Sequence, residues 1–157
     1  MKNLKMLLLF VCTTILLSCS TNDVVDELLG GEGSLTAKVS GTNFESLKST
    51  VSAIDTNGVL AIQGSNATGE YIRINLMNYK GVATYKTGDA ISNVNSIAYG
   101  TLTPLASWMS TFDIGNGTIE ITEDTDSNIK GTFSFLGYNG NTDRKEVTEG
   151  KFNAPKN

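Results

Sequence analysis

The chain has 157 residues, 39% of them hydrophobic and 18% charged, with a net charge of −4, two cysteines and no histidine. This composition predicts one modest globular domain, and the lack of histidine excludes zinc sites and catalytic triads that depend on it. Acids outnumber basic residues by 16 to 12. Because nucleic-acid binding needs clustered Lys and Arg, we predict no nucleic-acid partner.

Residues 1–18 have the organisation of a secretory signal peptide. Lys2 and Lys5 form a basic start, and an uncharged apolar stretch at 6–17 ends at the small residue Ser18. The stretch is shorter than the roughly 20 apolar residues that a membrane-spanning helix needs. We therefore expect cleavage, with a permanent anchor helix as the weaker alternative.

The residues at the end of this segment, Leu16-Leu17-Ser18-Cys19, resemble the lipobox of bacterial lipoproteins. The resemblance implies that the chain is cut before Cys19 and that its thiol carries a diacylglyceryl group; an ordinary secreted protein with a stray cysteine is the alternative. Two acyl chains give stable membrane anchoring where a single chain does not. Cleavage would also remove Lys2, Lys5 and Cys12, which leaves a net charge of −6 and no disulfide.

Residues 19–33 are interpreted as the lipidated cysteine and a flexible tether. A helix capped by Asn22 or Asp23 and ended by Gly30 would have only seven residues, too few to be stable alone in water; a short docked helix is the alternative. Its acids, Asp23, Asp26 and Glu27, resemble the acidic stretch that marks surface export in Bacteroidota-type lipoproteins. We therefore predict a lipid-anchored protein of the cell envelope, in the outer membrane, with surface display favoured over the periplasmic face.

From Ser34 onward the sequence changes to short runs in which apolar and polar residues alternate. Period-two alternation predicts strands with one buried face, and we predict about nine or ten of them. The runs lie at 35–39, 51–54, 59–63, 72–76, 82–86, 97–102, 108–114, 119–121, 133–135 and 147–152.

The connections between these runs predict antiparallel pairing. Asn57-Gly58 is a strong hairpin signal because both residues tolerate positive φ, and the long crossovers that parallel strands need are absent. We predict a single all-β domain at 34–157, an antiparallel β-sandwich, with a closed or partly open β-barrel as the alternative. The predicted core is Leu35, Ala37, Val39, Phe44, Ile54, Leu60, Ile62, Ile72, Ile74, Leu76, Ile119, Ile121, Phe133, Phe135 and Phe152.

Several of the strand segments resemble a known group of proteins. The segments at 36–44, 62–66, 70–76, 117–122, 131–135 and 147–152 occur in that order. Together they resemble a family of small Bacteroidota-type lipoproteins whose domain has no assigned function. The resemblance implies a β-rich fold and an envelope location, and it brings no catalytic motif.

The residues themselves also offer little chemistry for catalysis. The chain has no Gly-x-Ser-x-Gly elbow and no histidine base, and its one mature thiol would carry lipid. A glycosidase needs two facing carboxylates, whereas Asp113, Glu120, Glu123 and Glu149 lie in or near strands, where we interpret them as solvated. We predict no enzyme activity and no cofactor, with a glycosidase-like enzyme as the least favoured hypothesis.

One acidic turn has a calcium-like pattern. Asp124, Asp126 and Asn128 alternate as in the first half of an EF-hand loop, but Ile129 replaces the required glycine and Phe135 the bidentate acid. An EF-hand is excluded. A calcium site at the hairpin tip stays open beside a plain polar turn, and we predict no metal ligand.

The aromatic residues outside the predicted core favour ligand binding. Rings stack on sugar faces, and nearby amides can bond to hydroxyl groups. We predict a non-enzymatic binding module for a glycan or small ligand; the alternatives are purely structural aromatics, or a protein–protein interaction or structural subunit of the envelope. The candidate ligand-binding residues are Tyr71, Tyr79, Tyr85, Tyr99 and Trp108.

Overall fold

The fold is known from a computed structural model that describes residues 32–157. The predicted signal peptide, Cys19 and nearly all of the predicted tether lie outside the described residues. No helix within the described range is long and apolar enough to cross a membrane.

The described residues form eleven strands and one short 3-10 turn, Lys48–Thr50. All strand pairs within the sheet are antiparallel, in the order β2-β1-β11-β10-β8-β7-β5-β4-β3, with β9 beside β10 and β6 beside β9. The sheet curls into a half-barrel. The strands are β1 (Ser34–Val39), β2 (Thr42–Glu45), β3 (Ser52–Thr56), β4 (Val59–Ser65), β5 (Tyr71–Met77), β6 (Thr84–Thr87), β7 (Ser96–Leu102), β8 (Leu105–Thr111), β9 (Asn116–Asp124), β10 (Asn128–Asn139) and β11 (Asp143–Pro155).

The predicted all-β antiparallel fold is confirmed, but the predicted two-sheet sandwich is not. The strands form one continuous sheet, which is closer to the partly open barrel that the sequence left as the alternative. The reason is the length of β10, which has 12 residues. It pairs with β9 along most of its length and with β8 at Tyr138, so it joins two groups of strands that would otherwise separate.

The sequence pattern does not predict strand β2. This strand has four residues, and only one of them, Phe44, is buried, so it shows no alternation of apolar and polar residues. The predicted hairpin between β3 and β4 is confirmed. Asn57 and Gly58 have φ values of 52° and 76°, and Thr56 pairs with Val59 across the two-residue turn. Both turn residues therefore adopt the left-handed conformation that this hairpin type requires.

The core lies on the concave face of the curled sheet. Fourteen of the fifteen predicted core residues are buried, and each large apolar side chain contributes about 1.5–3 kcal/mol. Ile54 is the exception and is 51% exposed. Strand β3 places Ala53, fully buried, on the inner face and therefore turns Ile54 outward.

The end of the chain returns to the first half of the sheet. Lys156 forms an isolated parallel bridge with Ala53, and the Asn157 N–H donates to the Ala53 carbonyl at 3.0 Å. This contact places the last residues beside β3 and beside the 3-10 turn that precedes it. It forms one side of the groove described next.

Candidate functional site

A groove of about 860 Å³ opens where β4, β5, the 3-10 turn and the chain end meet. This volume falls within the range of small-ligand sites, about 300–1,000 Å³. We call it the Tyr71 groove. Its larger polar and aromatic lining residues are Lys48, Gln63, Asn66, Tyr71, Arg73 and Asn157.

The wall that carries Lys48 is fixed to the end of β4 by Thr50. The Ser65 N–H donates to Thr50 Oγ1 at 2.9 Å, and that hydroxyl lies 2.8 Å from the Ser65 carbonyl oxygen. The Leu47 N–H donates to the same carbonyl at 2.8 Å. Because the Thr50 hydroxyl acts as both acceptor and donor, it substitutes for a strand neighbour of β4 and holds the turn in place.

The opposite end of the groove is the loop between β4 and β5, which Asn66 organises. Asn66 Oδ1 accepts from the N–H groups of Thr68 and Glu70 at 3.1 and 2.9 Å, and Asn66 Nδ2 donates to the Glu70 carboxylate at 2.6 Å. Asparagine side chains stabilise turns by such local bonds. Leu102 packs against Gly69 of the same loop. The loop is therefore a structured wall of the groove.

The floor of the groove is the outer face of β5, where Tyr71 and Arg73 lie two residues apart. The Arg73 guanidinium carbon is 6.0 Å from the centroid of the Tyr71 ring, at the limit of a cation–π contact. Gln63 of β4 pairs directly with Arg73. A ring, a guanidinium and an amide therefore line one face of the groove. All three can contact a polar ligand that contains a ring.

A comparison with family models gives one match. Residues 31–154 match a family described as a domain of unknown function, DUF6252. The chain belongs to this family. Searches of curated proteins and of solved structures give no match.

The match covers nearly all of the described DUF6252 domain, including the β4–β5 loop and the floor of the Tyr71 groove. Asn157 alone, among the polar lining residues, lies beyond the matched range. Most of the residues that line the groove therefore lie within the matched range.

Tyr99 and Trp108 of the DUF6252 domain lie on the concave face, away from the Tyr71 groove. Their rings stack at 5.8 Å with a tilt of 31°, and the Lys145 ammonium lies 4.6 Å from the Trp108 centroid. Trp108 is 8% exposed, and its Nε1 has no hydrogen-bond partner among the described residues. The depression beside Tyr99 is small, about 200 Å³.

The Tyr99 hydroxyl donates a short hydrogen bond to Glu70 Oε1. This bond, aided by the amide of Asn66, lowers the pKa of the Glu70 carboxyl below its ordinary value. Burial, together with the same bond, raises the pKa of Tyr99. The pair therefore keeps a neutral phenol and an ionised carboxylate at neutral pH.

Tyr79 and Tyr85 form a second aromatic pair, with centroids 5.6 Å apart. The Tyr79 hydroxyl donates to Asp124 Oδ2 at 2.9 Å, and Lys156 Nζ donates to Asp124 Oδ1 at 2.5 Å. Burial is the main reason that the pKa of Tyr79 is raised, and the bond to Asp124 adds to it. Both oxygens of Asp124 are thus engaged by protein groups.

The contacts of Asp124 are relevant to the calcium site considered for the turn at 124–128. Within residues 32–157, no group of three or more Asp, Glu, Cys or His side chains is arranged to hold a metal ion. The turn is instead closed by Thr125, whose N–H donates to the Asn128 carbonyl at 2.9 Å. The hairpin tip therefore has the geometry of a polar turn.

Of the acids considered for glycoside cleavage, Asp113, Glu120 and Glu149 are exposed and Glu123 is half-buried. Glu120 and Glu149 line an open depression on the outer face. Glu149 is paired with Lys38 at 2.8 Å, and its side chain is 63% exposed. Glu123 is paired with Lys130 at 3.4 Å, and Asp113 is exposed. These surroundings are typical of solvated surface carboxylates.

The five predicted aromatic residues are thus distributed over three places, and one of them, Tyr71, lines the groove. Sequence reasoning did not identify Arg73, Gln63 or Lys48. Arg73 could have been found, because residues two apart on a strand share a face. The positions of Lys48 and Asn157 depend on the 3-10 turn and on the return of the chain end, for which the alternation of residues gives no signal.

Proposed function

We propose that this protein is a lipid-anchored envelope protein of the Bacteroidota type that binds a glycan or small ligand, without catalysis, in the Tyr71 groove. The observation that carries the proposal is the groove itself, about 860 Å³ with Tyr71, Arg73 and Gln63 on one face. An exposed face of a tyrosine ring can stack on a pyranose. The amide and guanidinium supply hydrogen bonds to its hydroxyl groups.

The rigidity of the walls supports the same proposal. Thr50 fixes one wall and Asn66 organises the other, so little ordering is needed when a ligand enters. Preformed sites lose less conformational entropy on binding and therefore bind more tightly for the same contacts.

The test is glycan-array binding by the purified full-length protein and by two variants. We expect Tyr71→Ala and Gln63→Ala to weaken binding several-fold, since each removes a side chain of the groove floor. Tyr138→Ala is the matched control, because Tyr138 lies on β10 and does not line the groove. Absence of glycan binding, or equal loss in the control, would contradict the proposal.

Anchoring is tested separately. In the proposed protein, 14 residues separate Cys19 from the first residue of β1, a reach of at most about 50 Å. Cys19→Ala should move the protein from the membrane to the soluble fraction, whereas Cys12→Ala should leave it membrane-bound. Persistent membrane association of the Cys19 variant would refute lipidation. Protease treatment of intact cells distinguishes surface display from the periplasmic face.

A second candidate function is docking on an apolar surface of another envelope protein. It is favoured by exposed apolar side chains on two segments that hydrogen-bond to each other: the Ala90 N–H donates to the Phe112 carbonyl at 3.1 Å, and the Phe112 N–H to the Asn93 carbonyl at 3.0 Å. Ile91 is 77% and Phe112 44% exposed. Crosslinking from position 91 in intact cells should then yield one discrete adduct; a diffuse or empty pattern would count against docking.

A further inference from the structure

The charge of the Tyr71 groove is opposite to that of the chain as a whole. The chain has a net charge of −4, yet the groove is lined by two cations, Lys48 and Arg73, and by no Asp or Glu side chain. Both cations are exposed. Positive side chains at this groove are opposite in sign to the net charge of the chain, and they would attract an anionic ligand there.

Among residues 32–157 no Asp or Glu side chain pairs with either cation, although the last residue, Asn157, brings a terminal carboxylate to the groove. Ion pairs are seen at Lys38, Lys130 and Lys156, whereas neither Lys48 nor Arg73 makes one within residues 32–157. Two nearby acids are engaged elsewhere: Glu70 accepts from Tyr99 and Asn66, and Asp55 lies 3.6 Å from Lys156. The exposed Glu32 precedes Gly33, against which the Lys48 side chain packs. Arg73 is therefore available to a ligand, and the exposed Lys48 can add a second positive charge at the groove wall.

The position of Arg73 restricts where a ligand's negative charge would lie. Its guanidinium carbon is 6.0 Å from the Tyr71 centroid, so an anionic group bound by Arg73 would lie close to a ligand ring that contacts Tyr71. The planar guanidinium can bind a carboxylate or sulfate through two parallel N–H groups, which an ammonium cannot do. An aromatic ring and a cation are thus adjacent in the groove, which suits a sugar that carries an acid group.

We propose that the Tyr71 groove is selective for acidic glycans, with a sugar ring stacked on Tyr71 and its carboxylate or sulfate group bound by Arg73 and Lys48. This inference rests on the proposed function, since it names the ligand class of the same groove. Neutral glycans would use the ring and Gln63 but would form no charged contact with Arg73 or Lys48, so acidic glycans should bind more tightly.

The experiment measures binding of the full-length protein to polygalacturonate, to a sulfated glycosaminoglycan and to neutral dextran. We expect the two acidic polymers to bind at least about tenfold more tightly than dextran, in line with charge-assisted hydrogen bonds, and this preference to fall as salt rises. The carboxylated and the sulfated polymer distinguish the two acid groups from each other.

Three variants test the residues. Arg73→Gln and Lys48→Gln should each reduce the preference for acidic polymers, and Arg73→Lys should restore part of it because the charge returns without the planar fork. Lys80→Gln is the control: it makes the same change in net charge at an exposed position outside the groove. Circular dichroism and thermal melting verify that the variants are folded.

The outcomes separate the two proposals. Tyr71-dependent binding of dextran and acidic polymers with equal affinity would overturn the acidic selectivity and leave the glycan-binding function standing. Failure to bind any glycan would overturn both. Binding to phosphatidylglycerol vesicles through Arg73 and Lys48, without binding to polygalacturonate or the sulfated polymer, would assign the cations to a membrane surface and overturn the inference.

Discussion

The ring of Tyr71 covers the backbone of Gly100 on the neighbouring strand. The two residues pair across β5 and β7, and a methyl group added at Gly100 would lie 2.6 Å from Tyr71 Cε1. Gly100 is buried although its neighbours on the outer face include exposed positions. The absence of a side chain at Gly100 therefore sets the position of the Tyr71 ring in the groove.

Substitution of Gly100 should consequently displace this ring. We expect Gly100→Ala to destabilise the fold by about 1–3 kcal/mol, the usual cost of forcing a methyl group into a packed contact. It should also weaken glycan binding, because the ring leaves the groove floor. Urea unfolding followed by circular dichroism measures the first effect, and glycan binding measures the second.

A double-mutant cycle provides the control. In a Tyr71→Ala background, Gly100→Ala should cost little or should stabilise slightly, since alanine is better than glycine inside a strand when nothing covers it. Additive costs in the cycle would show that the strain at Gly100 comes from the backbone and not from the Tyr71 ring.

Much of the fold follows from the alternation of apolar and polar residues. The inward positions of β1, β4, β5 and β9 are those that the sequence predicts, because a one-residue shift would bring polar side chains into the core. Ile54 was misplaced since a short run at 51–54 fits either face, and Ala53 is less conspicuous than isoleucine.

The site was less predictable than the fold, for a physical reason. Tyr and Trp are residue types typical of a binding face. However, the alternation of side chains along their strands places Tyr99 and Trp108 on the concave side, where they pack together. The groove instead depends on contacts between segments distant in sequence, such as Thr50 with Ser65 and Asn157 with Ala53. Local periodicity carries no information about such contacts.

The bond between Tyr99 and Glu70 predicts a pH dependence of stability. The folded-state pKa of Glu70 lies below its ordinary value of 4.5, chiefly because of this bond. The stabilisation is therefore complete above pH 4.5 and is lost as the pH falls through the folded-state pKa. We expect Glu70→Gln to be less stable than the wild type at pH 7 and nearly equal to it at strongly acidic pH.

Denaturant unfolding at several pH values measures this difference. Glu146→Gln serves as the comparison, because Glu146 is exposed and should show little difference from the wild type across the series. If the free energy of unfolding of Glu70→Gln stayed below that of the wild type by the same amount down to acid pH, the carboxylate charge would contribute nothing to stability. Tyr99→Phe, which removes the donor, should reproduce the pattern of Glu70→Gln.

Trp108 is the single tryptophan of the chain, and its burial predicts its fluorescence. At 8% exposure, its emission should be blue-shifted and weakly quenched by acrylamide in the native state. Because it faces the concave side, a ligand in the Tyr71 groove should leave the emission nearly unchanged. Strong acrylamide quenching in the native state would contradict the buried placement.

The cation–π contact of Trp108 also predicts an effect on stability. Lys145→Met should lower the free energy of unfolding by up to about 1 kcal/mol, because this contact is lost.

The ion pair between Lys156 and Asp124 predicts the opposite pH behaviour. Hydrogen bonding to Asp124 raises the folded-state pKa of Lys156 above its ordinary value of 10.5. Its contribution is therefore fully present below pH 10.5 and is lost as the pH rises through the raised value. We expect Lys156→Gln to have a lower free energy of unfolding than the wild type at pH 8, and this deficit should shrink at strongly alkaline pH. The exposed control Lys80→Gln should show little deficit at either pH. A deficit for Lys156→Gln that does not change with pH would instead trace the loss to packing of the lysine stem.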